Sequence, residues 1–236
     1  MILDSYKPTT LIFQIQYANA YELWDRAGAI GRRLGKIWSG LTLREGQPQH
    51  QTLAGKGVTV QTAIARSTIT LSGEKVFEEH NVLQIKETFE VWRDTLDLST
   101  LDRVSTRVTY SREFVSLKEA NAELFALNLA RWPNTKVFDQ PLESEKNGLD
   151  IAFRFEDQSS FSVLRLKAEE LKVEAELDPE IFDESTITKK KTRLVIDFDR
   201  GLLGSVDAGK FRADEWIKGY QHILRRDIEK VLKGKA

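Results

Sequence analysis

Alternation of apolar and polar residues marks much of this chain as strand. In LIFQIQYA (11–18), Leu11, Phe13, Ile15 and Tyr17 share one parity, as in a strand with one buried face. VTVQTAIARSTITLS (58–72) carries Val58, Val60, Ile64, Ile69 and Leu71 and predicts a β-hairpin. RVSTRVTYSREF (103–114) sets Val104, Thr106, Val108, Tyr110 and Phe114 on one face, with Arg112 intruding among them. Its other face holds Arg103, Ser105, Arg107, Thr109, Ser111 and Glu113. Further strands are expected at 149–156, 160–167 and 171–177, with DQSS as the first turn between them. A last strand is expected at 192–199, where Leu194, Ile196 and Phe198 share a face.

Helical spacing replaces the alternation in three places. Residues 19–38 repeat Leu23, Ala27, Ile30, Leu34 and Ile37. A second stripe there carries Trp24, Gly28, Gly31 and Gly35; glycine weakens a helix by about 1 kcal/mol each, so it implies close packing against another backbone or a bent helix. Residues 116–132 open on Ser116 with Glu119 three positions later, a capping box, and Pro133 follows. Residues 214–233 form an apolar stripe through Trp216, Tyr220, Ile223, Leu224, Ile228, Val231 and Leu232, with Asp214 as the expected N-cap. VLQIKETFEVW (82–92) fits a strand, and equally a helix starting near Glu87. The glycines and proline of 39–57 read as a long loop, and 133–147 as a linker. The expected class is α+β, a mainly antiparallel sheet with three main helices. The halves 1–132 and 148–236 either repeat one structure or merge into one compact domain.

Composition narrows the classes. The 236 residues include no cysteine, which removes disulfide and thiolate chemistry. No apolar run approaches the roughly 20 residues of a membrane helix, and the N-terminus lacks a secretory pattern, so a cytoplasmic location and no membrane partner are expected. Net charge is −1, which gives no global pull toward nucleic acid. Charge is nevertheless segregated: acids crowd 169–184, followed by Lys189, Lys190, Lys191 and Arg193.

Candidate chemistry is sparse. Asp197 and Asp199 sit two apart on one strand face and could hold a divalent cation for phosphoryl transfer. The Gly-Ser turn and third acid usual for such a site are missing. GAIGRRLGK and AGKGVT fail the spacing or context of a phosphate loop, and no G-x-S-x-G occurs. Trp24, Trp92, Trp132 and Trp216 sit at apolar positions and read as core, whereas Trp38 ends a helix bearing Arg26, Arg32, Arg33 and Lys36. Arg32 and Arg33 with the lysine run 189–191 make the nucleic-acid candidate. Arg103 and Arg107, roughly 13 Å apart along a strand, suit an extended acidic or phosphate-bearing surface. Arg112 implies either a buried partner or an apolar face that reaches solvent.

Arg103, Arg107 and Tyr110 in RVSTRVTYSREF resemble the strand vtRigLRYiN of a sporadically distributed, uncharacterised family of bacterial proteins. Here Val108 and Thr109 separate Arg107 from Tyr110, where that family has Arg and Tyr adjacent. LVIDFD resembles the family's late DiD strand before a terminal amphipathic helix, and VQT near residue 60 is a third match. The resemblance implies an intracellular bacterial protein of unassigned function and carries over no catalytic residue. The leading expectation is a non-catalytic binding or adaptor protein in a larger bacterial complex, in a defence or toxin–antitoxin setting. It needs no cofactor, and its partner is another protein or a second copy. Nucleic-acid binding and metal-dependent phosphoryl transfer are the alternatives.

Overall fold

The computed structural model describes residues 2–129, 136–137, 140–141, 149–176 and 186–233. A 3-10 turn, Ile2–Ser5, leads into β1 (Lys7–Gln16) and α1 (Leu23–Ile37). A four-stranded meander follows: β2 (Thr42–Gln47), β3 (His50–Gly55), β4 (Val58–Ala63) and β5 (Arg66–Ser72). Then come α2 (Glu79–Thr95), β6 (Thr100–Phe114) and α3 (Leu117–Ala126). A minimal pair, β7 (Lys136–Val137) with β8 (Gln140–Pro141), precedes β9 (Asp150–Glu156), β10 (Ser160–Glu176) and β11 (Thr186–Asp207). The last element is α4 (Ala213–Leu232).

The order β2-β3-β4-β5-β1-β6-β11-β10-β9 makes one nine-stranded antiparallel sheet. Its centre is the β1–β6 pair, in register from Leu11 opposite Val108 to Ile15 opposite Val104. The fold is α+β with a repeated topology. In each half a first strand is followed by a helix, an antiparallel meander and a second helix, and the first strand pairs with the meander's last: β1 with β5, β6 with β11. The repeat divides between α2 and β6, so β6 and α3 belong with the second unit. β2 has no counterpart among the described residues of that unit.

All four helices of the described residues lie on one face of the sheet. The buried parity of β1 (Leu11, Phe13, Ile15) continues through Val60 and Ile69 on one side and Val104 on the other, under Leu23, Ile30 and Leu34 of α1 and Ile85, Phe89 and Trp92 of α2. A second cluster packs Val108, Leu164, Leu166, Leu194 and Ile196 under Leu117, Ala120 and Leu124 of α3. α4 crosses from one to the other: Ala213 and Ile217 join the first, Tyr220, Leu224, Ile228 and Leu232 the second. Tryptophan–threonine hydrogen bonds fix the helices in place. Trp92 of α2 donates to Thr62 on β4 at 2.9 Å, Trp216 of α4 to Thr106 on β6 at 2.8 Å, and Trp38 beyond α1 to Thr88 of α2 at 2.8 Å.

Several expectations change. Residues 39–57 are the β2–β3 hairpin, not a loop: β2 is an edge strand exposed along its whole length, so no hydrophobic period marks it. Residues 82–92 lie inside α2, a fourth helix buried on most of one side. The strands expected at 160–167 and 171–177 are one, β10, and 192–199 is the middle of a 22-residue strand. Here charged residues continue the strands, because they pair across the ladder. α3 stops at Ala126, with Asn128 left-handed at φ 50°, and Ser116 caps it as expected, accepting from Glu119 N at 3.3 Å. Arg212, not Asp214, is the N-cap of α4. Trp24 is 56% exposed rather than core, and Trp38 is buried rather than presented. Trp132 and most of 133–147 lie outside the described residues.

Trp92→Phe strands the fully buried Thr62 hydroxyl and should cost about 2 kcal/mol in denaturant unfolding. Combining it with Thr62→Val, which removes the orphaned group, should recover most of that loss.

Candidate functional site

The sheet face opposite the helices is the second parity of every strand, and it is polar. From the N-terminal half it gathers Thr10, Ile12, Gln14, Thr59, Gln61, Thr68 and Thr70, uncharged and mostly half-buried. From the C-terminal half it gathers Arg103, Arg107 and Glu113 of β6, Lys191, Arg193, Asp197 and Asp199 of β11, Arg165, Lys167 and Glu169 of β10, and Asp150, Arg154 and Glu156 of β9. Alternation dictates this split, since a one-residue shift in register would exchange the faces.

The centre of the charged part is a cluster on β6 and β11. Arg107 lies opposite Asp199 in the ladder, but its guanidinium leans diagonally to Asp197. Nε reaches Oδ1 at 2.7 Å, and Nη2 bonds Oδ2. The Asp197 side chain is 11% exposed and the Arg107 side chain 49%. This bidentate pair is the strong geometry for a carboxylate and a guanidinium. Asp199 is thereby left half-buried without an ion pair among the described residues. Burial raises its pKa above the ordinary aspartate value; Arg103 and Arg107 oppose the shift, and Asp197 adds to it.

One strand-pair further along, Phe161 of β10 lies opposite Gly201 of β11. A Cβ at Gly201 would meet the Phe161 ring at 2.3 Å and Val104 O at 2.7 Å, so the ring packs where a side chain would stand. The Arg103 guanidinium covers the ring at 4.4 Å from its centroid. Its Nε is buried and makes no hydrogen bond among the described residues. Glycine at 201 therefore lets an aromatic ring lie flat on the sheet under an arginine, a cation–π arrangement.

Around this centre the charges neutralise one another. Arg193 and Lys167 share Glu169 at 2.5 and 2.8 Å, Arg165 meets Asp150 at 3.2 Å, Arg154 meets Glu156 at 2.5 Å, and Lys191 meets Glu113 at 2.5 Å. On the opposite parity, Lys190 pairs with Glu170 at 3.3 Å. Lys189 lies opposite Val173 on β11, and its side chain is outside the described residues.

The predicted site residues are thus distributed over several jobs. Arg103, Arg107, Asp197 and Asp199 come together on the helix-free face. Arg112 is on the other face and has the partner that its position implied. It binds Glu123 of α3 at 2.7 Å and Ser5 Oγ at 3.2 Å, and its guanidinium lies over the rings of Tyr6 and Phe114. Arg33 bonds Thr95 Oγ1 at 2.8 Å and Arg26 the Thr95 carbonyl at 2.8 Å, so both fasten α1 to the C-terminal end of α2, where cations suit the helix dipole. Arg32 remains exposed on α1, which rests on α2 and β3, away from Lys190 and Lys191 on β11. Both oxygens of Asp197 are taken by a guanidinium, two arginines flank Asp199, and no cluster of three metal-ligating side chains occurs among the described residues. A divalent cation would have to displace Arg107.

Sequence reading did not find Phe161, Gly201 or the threonine–glutamine rows. Their shared parity was visible, but only strand order shows that they adjoin. No protein-family model matches the chain, and no curated protein matches it.

Two outcomes follow. Gly201→Ala should destabilise the fold by about 2 kcal/mol through overpacking, read by thermal unfolding. Because the folded chain holds the Asp199 proton to higher pH than the unfolded chain does, ionisation costs stability as pH rises through that interval. Asp199→Asn should therefore unfold at higher temperature than the parent at neutral pH. The difference should shrink as pH falls through the ordinary aspartate range near about 4.

Proposed function

We propose that the protein is a non-catalytic binding or adaptor protein that docks a protein partner on the helix-free face of its sheet. One observation carries this reading: among the described residues four helices cover one face of the nine-stranded sheet and none lies on the other, which has polar rows and partly desolvated groups at its centre. Eight inter-strand gaps of about 4.8 Å make that face roughly 38 Å wide, ample for a standard protein interface. Threonine and glutamine offer hydrogen bonds at little desolvation cost. Asp199 and Arg103 offer a charge and a donor that neighbours have not fully used. The resemblance to bacterial proteins of unassigned function supplies the setting, a larger intracellular complex of the defence or toxin–antitoxin kind.

The two alternatives have weaker support. Nucleic-acid binding needs cations not already neutralised, whereas most basic side chains of this face sit within ion-pair distance of an acid. Phosphoryl transfer needs Asp197, which Arg107 occupies.

The test is capture of partners from the native cell by the tagged full chain, alongside Thr68→Arg and Gln14→Arg. Each places a long cation in a half-buried row while leaving stability within about 0.5 kcal/mol. A partner held by the parent should be retained at least about tenfold less by both variants. A partner held equally by all three chains, or none held by the parent, overturns the reading.

A further inference from the structure

α1 carries a stripe that the rest of the described chain leaves uncovered. Trp24 is 56% exposed and stands edge-on to Tyr21, itself 54% exposed. Gly28 and Gly35 are exposed and Gly31 half-buried. Close packing within the chain does not explain these glycines. A Cβ at Gly35 would meet nothing within 4 Å, at Gly28 only the Arg32 guanidinium at 3.6 Å, and at Gly31 only Gln51 Oε1 at 3.8 Å. Gln51 is 5% exposed, and its Nε2 has no acceptor among the described residues. A buried, unpaired amide thus lies against the middle of the stripe.

We infer that this stripe is a self-association surface, on which α1 of a second copy of the chain packs antiparallel about a two-fold axis. The order Trp24, Gly28, Gly31, Gly35 reads the same from either end in its spacing. An antiparallel copy therefore sets Trp24 against Gly35 and Gly28 against Gly31, twice over, as an isologous contact requires. The indole fills the open space above Gly35, and the central glycines let the helices approach closely. Leu43 of β2, 61% exposed, adds apolar surface on the strand next to β3, the strand on which α1 rests.

Charge selects the same orientation. Glu22 and Asp25 lie at the start of α1, Arg32 and Lys36 in its second half, and none of the four makes an ion pair within the described chain. Arg26 and Arg33, on the opposite side of the helix, are the ones committed to α2. Antiparallel packing brings Asp25, at the flank of the stripe, toward Arg32 of the other copy; parallel packing would align like charges. Arg32, which now lies across Gly28, has a carboxylate to turn to. Each Gln51 side chain lies beneath Gly31, close to the axis, with its Oε1 3.8 Å from where a Cβ would stand.

The test is sedimentation equilibrium of the full chain across a concentration series. The expected result is a monomer–dimer equilibrium. Gly35→Leu and Gly28→Leu fill the stripe at positions where the monomer has room, so each should weaken association at least about tenfold while helical content and unfolding temperature hold or rise. Asp25→Arg should weaken it too, and Asp25→Arg combined with Arg32→Asp should restore it. A chain that stays monomeric up to roughly millimolar concentration overturns the proposal. So does a dimer indifferent to Gly35→Leu, or a double charge reversal that fails to regain what the single one lost.

Discussion

The antiparallel contact between β1 and β6 is the constraint from which the rest of the architecture follows. Leu11, Phe13 and Ile15 project to the same side as Val108, Thr106 and Val104 because they are ladder partners. That agreement of parity across the midline forces both hydrophobic clusters onto one face. Every helix must then settle there, since only there can it bury its apolar stripe. The polar parity has no such option. The bare face is the complement of the core and would exist whatever its sequence; only its particular residues call for a functional explanation.

Arginine is the fastener of this molecule. Arg26 and Arg33 tie α1 to α2, Arg112 ties the N-terminal turn to α3, Arg107 clamps β6 to β11, and Arg103 covers a ring across two strands. A planar guanidinium with several donors can make such joints where an ammonium would make one contact. Among the described residues, the set of basic groups free for an outside partner shrinks accordingly.

Strands with one buried side were legible from alternation, and α4 from its long apolar stripe. The capping box at Ser116 and Glu119 also gave the start of α3. What escaped had physical reasons. β2 has no buried side, so nothing in its composition differs from a loop. α2 is buried on so much of its circumference that a period of two and a period of 3.6 fit its apolar residues almost equally. Asn128 ended α3 by a backbone conformation that pattern alone does not show. Of the candidate site, the proximity of Arg103, Arg107 and the two aspartates was half visible, since each pair shares a parity on its own strand. That β6 and β11 are neighbours, with residues 107 and 199 facing one another, is a fact of topology, and no local pattern encodes it.

The repeated topology also bears on the chain's history. A polypeptide of half this length, pairing through its first strand with a copy of itself about an axis normal to the sheet, would build the central eight strands and four covering helices unaided. Joining the two coding segments end to end would then free each half to diverge. Across the bare face the two halves differ: mainly hydroxyl and amide, with Arg66 at the strand end, on one side of the midline, and mostly paired charge on the other. β2, an edge strand without a counterpart among the described residues of the second unit, is the other visible difference.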